Sequence, residues 1–151
     1  MSLFPDPQAE LVYKAEWATS YYERSFKYRD TLDMTLRLNE IRNSRAYKRA
    51  LGYNDPIDLY ISDERISLAG VFNYNIFGGE PKIILFSSYE CNDATFLHEF
   101  CHYLSIRKYG TMVPSHGWQF ARLELGIIRC FVSKADYEDL LYHFDIRKVK
   151  H

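Results

Sequence analysis

The chain has 151 residues, 47% hydrophobic and 26% charged, with a formal net charge of -1. That length suits one domain closing its own core, the composition excludes a wholly disordered chain, and the charge gives no field that would draw it to nucleic acid or an anionic membrane. Cysteines at 91, 101 and 130 are odd in number and lack C-x-x-C spacing, which argues against a disulfide framework or a zinc ribbon and fits a reducing compartment.

The opening, MSLFPDPQAE, has no basic region followed by an apolar core, and no apolar run approaches about 18 residues. Neither a signal peptide nor a membrane span is expected, and the protein reads as cytoplasmic. Asp6-Pro7 suits a helix start, with Asp as the cap and Pro in the first turn. Leu11, Ala15, Ala18 and Tyr22 then recur at helical spacing, predicting a first helix to about residue 22. Residues 23 to 35 are polar and irregular and read as a loop. Thr35 is placed to cap a second helix over about 36 to 50, ended by Gly52 and Tyr53-Asn54-Asp55-Pro56. Its charges, Arg37, Arg42, Arg45, Lys48 and Arg49, read as a solvated face rather than a nucleic-acid contact, because no aromatic stacking pattern accompanies them.

Three strands are predicted next, Ile57 to Ser62, Ile66 to Ile76 and Lys82 to Ser87. Short links at Asp63-Glu64-Arg65 and Gly78-Gly79-Glu80-Pro81 suggest hairpins and a mainly antiparallel sheet. Ile83-Ile84-Leu85-Phe86 is continuously apolar, as in a strand covered on both faces. A helix over about 93 to 108 follows, capped by Asn92 or Asp93 and stopped by Gly110. Another begins at Ser115 or His116 and carries Phe120, Leu123, Ile127 and Cys130 at helical spacing. Ser133-x-x-Asp136 opens a last helix to about Phe144, and residues 146 to 151 are expected to fray.

The chemistry concentrates in His98-Glu99-Phe100-Cys101-His102, an H-E-x-x-H pattern, followed by His116 in Ser-His-Gly. Helical residues four apart lie about 40° apart around the axis and about 6 Å along it, so His98 and His102 can present two imidazoles to one ion. Glu99 adjoins them as a candidate general base, and His116 supplies a third nitrogen, leaving a fourth position for water. A thiolate from Cys101 would close such a site, so Cys101 is read as a small buried side chain. Tyr74, Tyr103 and Tyr109 are candidate donors to a developing oxyanion.

HEFCH followed by SHGWQF resembles the compact zincins of the SprT-like and minigluzincin group. The opening, Asp6-Pro7-Gln8 through Val12-Tyr13-Lys14-Ala15-Glu16, looks like the start of a family of metallohydrolases from actinobacteria and their phages. The resemblance implies a single α+β zincin-like domain over 1–151, its three-stranded, mainly antiparallel sheet packed on helices that include the metal helix. It implies His98, His102 and His116 as zinc ligands and Glu99 as the catalytic carboxylate. Gly117 and Phe120 match positions that let the ligand-bearing turn approach closely and anchor it. The basic surface and trailing zinc ribbon of the DNA-associated members are missing here.

The expected function is therefore a zinc-dependent hydrolase of peptides or proteins, with the strand at 66 to 76 as a track for an extended substrate. The alternative is a catalytically silent, zinc-stabilised interaction domain, for instance a phage protein that binds a host factor. A module that binds nucleic acid through the basic helix is the third reading.

Overall fold

In the computed structural model, which describes residues 5–74, 79–89 and 91–151, the chain is an α+β protein with seven helices and a three-stranded mixed sheet. It divides into two compact units: one holds the chain up to Ser25 together with Leu104–His151, the other is Phe26–Tyr103. No helix among the described residues is long and apolar enough to cross a membrane.

The Phe26–Tyr103 unit contains α3 (Thr31–Asn43), α4 (Arg45–Ala50), β1 (Asp58–Ser62), β2 (Gly70–Asn73), β3 (Lys82–Phe86) and most of α5 (Asp93–Tyr109). Asp30 caps α3 by accepting from the Asp33 amide, and Ser44 caps α4 by accepting from Tyr47. The single helix expected over 36–50 is thus two, and the loop expected over 23–35 already contains the start of α3. Thr35, read as a cap, lies inside α3 and donates back to the Thr31 carbonyl.

β3 takes the middle of the sheet, parallel to β1 and antiparallel to β2. β1 and β2 are not neighbours, so the hairpin expected at Asp63-Glu64-Arg65 does not form. The reason is apolarity: Ile83, Leu85 and Phe86 are buried, which favours the position flanked by a strand on each side. The middle strand is also shorter than expected. Ile66 and Leu68 are exposed and precede it, while Ile76 and Gly78 lie outside the described residues.

α5 is capped by Asn92, whose side-chain oxygen accepts from the Thr95 amide. Phe96, Phe100 and Tyr103 form a stacked column along it, with centroids 6.2 and 5.7 Å apart, and Tyr47 and Tyr28 pack on that column. These rings are all buried, and together with Met34, Leu38 and Ile41 they make the core of this unit. The basic face read on 36–50 is only partly solvated. Arg37 grips both oxygens of Asp93, and Arg42 donates to the Tyr103 hydroxyl, while Arg45, Lys48 and Arg49 are exposed.

The other unit contains α1 (Ala9–Ala18), α2 (Ser20–Arg24), α6 (Trp118–Phe131), α7 (Lys134–Ile146) and the end of α5, which Gly110 closes at φ 82°. The first helix stops four residues early because Thr19 turns its amide and hydroxyl back onto the Glu16 carbonyl. α7 packs against α1, α2 and α6. Ser133 caps it as the sequence predicts, accepting from Asp136. The tail expected to fray is instead anchored: Val149 is buried, and Lys150 exchanges two hydrogen bonds with the side chain of Gln8.

Candidate metal centre

His98, Glu99 and His102 all lie on α5, which the ring column and the Asn92 cap hold in place. Four-residue spacing puts both imidazoles on one side, and their Nε2 atoms are 3.2 Å apart. Two zinc–nitrogen bonds of about 2.0–2.1 Å at a tetrahedral angle hold their nitrogens about 3.3 Å apart, so the observed separation already fits a shared ion. His98 is buried and His102 is partly exposed.

Glu99 is 7% exposed, and its side chain runs beside β2. Gly70 makes that approach possible: a Cβ there would meet Thr95 Cγ2 at 2.9 Å, Leu85 Cδ2 at 3.0 Å and Glu99 Cγ at 3.2 Å. Phe86 donates its amide to the Ala69 carbonyl, so by antiparallel alternation the Phe72 amide turns away from β3 toward the sheet edge. Glu99 accepts from that amide. Burial pushes the Glu99 carboxyl above its ordinary range, against the pull of His98 and the Phe72 N–H.

His116 belongs to the other unit, in the turn before α6, where Gly117 is the N-cap. Its ring lies between Tyr13 and Phe120, with centroids 4.8 and 4.9 Å away. Asp6 holds it at two points. The His116 backbone N–H donates to Oδ1 at 3.1 Å, and Nδ1 lies 2.8 Å from Oδ2. Asp6, expected to cap α1, is therefore committed elsewhere, and Gln8 at the cap position makes no side-chain capping bond.

Two further carboxylates are given no role by the sequence. Glu16 on α1 and Glu124 on α6 are both buried, with carboxylate oxygens within 4.8 Å of one another. Like charges that close in a dry site are tolerated only with a proton or cation to offset them. The available signal was a Glu at a position where helical periodicity calls for an apolar residue. Cys101 is fully buried, as expected of a packing side chain. Of the three tyrosines considered as oxyanion donors, Tyr103 is 1% exposed and donates to Asp55 at 2.7 Å, which commits it to the core. No protein-family model, curated protein or solved structure matches the chain.

Proposed function

We propose that the protein is a zinc-dependent hydrolase of peptide bonds, with His98, His102 and His116 as the metal ligands and Glu99 as the general base. The observation that carries this reading is the 3.2 Å approach of two Nε2 atoms from one buried helix, with a carboxylate on the adjoining residue. His98 and His102, whose ring nitrogens already stand at the separation a shared ion needs, supply two of the three imidazoles. Nitrogen donors with no thiolate among them suit catalytic zinc better than structural zinc. The likeness of HEFCH and SHGWQF to SprT-like and minigluzincin zincins points the same way.

Zinc held there supplies Lewis acidity, lowering the pKa of water and polarising a carbonyl. Glu99 takes the proton of the attacking water and returns it to the leaving amine. The burial that raises its carboxyl pKa favours holding that proton between the two events. β2 is an edge strand and can accept an extended peptide by strand addition. A peptide laid there meets Glu99 where the carboxylate accepts from the Phe72 amide, which brings the base beside the bound chain. Three cysteines, odd in number and without C-x-x-C spacing, accord with the cytoplasmic location proposed with this activity.

Metal analysis of protein purified without a polyhistidine tag, followed by cleavage of a panel of unfolded proteins, tests the reading. Wild type should carry one zinc per chain and cleave. Glu99→Gln should keep the metal and lose cleavage, whereas His98→Ala should lose the metal. Wild-type protein that takes up no metal sinks the assignment. Metal uptake without any cleavage would instead favour the zinc-stabilised interaction domain.

A further inference from the structure

We propose that Asp6 is the positioning residue for His116, fixing the direction and tautomer of the ring so that its Nε2 carries the lone pair a metal needs. The proposal rests on the ligand role given to His116 above. It stands on the way Asp6 divides its two oxygens. One takes the backbone N–H of residue 116 and the other takes the ring Nδ1, so main chain and imidazole are held by one carboxylate. The carboxylate accepts through both oxygens, so the Nδ1 contact calls for a proton on Nδ1 and leaves the lone pair on Nε2. A metal-bound histidine commonly donates its other ring N–H to such a carboxylate, which orients the ring and raises its basicity.

The surroundings hold the pair together. Tyr13 and Phe120 flank the ring of His116 and limit its rotation. Two residues after Asp6, Gln8 donates to the Lys150 carbonyl at 3.1 Å and accepts from the Lys150 amide at 3.0 Å. That clip fixes the segment before α1, so Asp6 faces His116 rather than the helix end.

Full-length wild type, Asp6→Ala and Asp6→Asn decide the matter by two readouts. In metal-free protein, long-range proton–nitrogen NMR spectra read the His116 tautomer. Wild type should show the proton on Nδ1, and Asp6→Ala should move toward the Nε2–H form. Zinc affinity, measured by chelator competition, should fall roughly 10–100-fold in Asp6→Ala. Asp6→Asn, whose amide oxygen can still accept from Nδ1, should recover part of that loss. If Asp6→Ala fails to fold, the Asn variant carries the same two readouts. An unchanged tautomer, with zinc affinity within about threefold of wild type, overturns the proposal. A tautomer shift in a chain whose wild type binds no zinc overturns the metal reading and leaves Asp6 as the group that orients His116.

Discussion

His98 and His102 are carried by one turn of a buried helix, whereas His116 sits in a turn and is held by a carboxylate 110 positions earlier in the chain. The helix-borne pair owes its geometry to the 3.6-residue period and to the ring column beneath it. The turn-borne ring owes its geometry to a partner chosen by tertiary structure. One arrangement is rigid because it is local and deeply packed. The other depends on a short segment tied down by hydrogen bonds near the surface.

Perturbing each side in turn sharpens that contrast. The largest effect should come from Phe100→Ala, which removes the middle ring of the column and should cost about 3–5 kcal/mol in denaturant unfolding. A loss well below that would mean the column does not support α5. Gly70→Ala should come next. Gly70 is not in the left-handed region, so its cost is space, and overpacking against Thr95, Leu85 and Glu99 should destabilise by about 1–3 kcal/mol.

A pH-dependent effect follows from Glu99, whose carboxyl is raised above its ordinary 4.5 by burial. Its contribution to stability is fully present below the unfolded value and is lost as pH rises through the folded one. Melting of metal-free Glu99→Gln should therefore stay close to wild type at about pH 4 and exceed it at about pH 8. A gap that narrows as pH rises would contradict the sign. The smallest change belongs to the surface clip: Gln8→Ala should cost less than about 1 kcal/mol, because its two hydrogen bonds are exposed. A loss as large as that of Phe100→Ala would erase the contrast between the two sides.

The same division explains what could be read from the chain alone. The caps at Asn92 and Ser133 and the stop at Gly110 are local patterns, and the structure reproduces each of them; the nearness of the His98 and His102 rings comes from the same local spacing. Asp6 was misread because Asp-Pro is also a good local helix start, and nothing nearby announces a competitor 110 positions away. Strand order failed for a related reason. Short links suggest neighbouring strands, but the apolar run of β3 outcompeted β2 as a partner for β1. The anchored tail was hidden too, since its hold comes from Gln8 at the far end of the sequence.

The central position of β3 also governs how the sheet is assembled on the ribosome. Neither β1 nor β2 has a hydrogen-bonded mate in the sheet until residues 82–86 have emerged. Nucleating this sheet therefore needs its last-made strand, a delay that makes Ile83 and Leu85 natural sites for substitutions that slow refolding and promote aggregation.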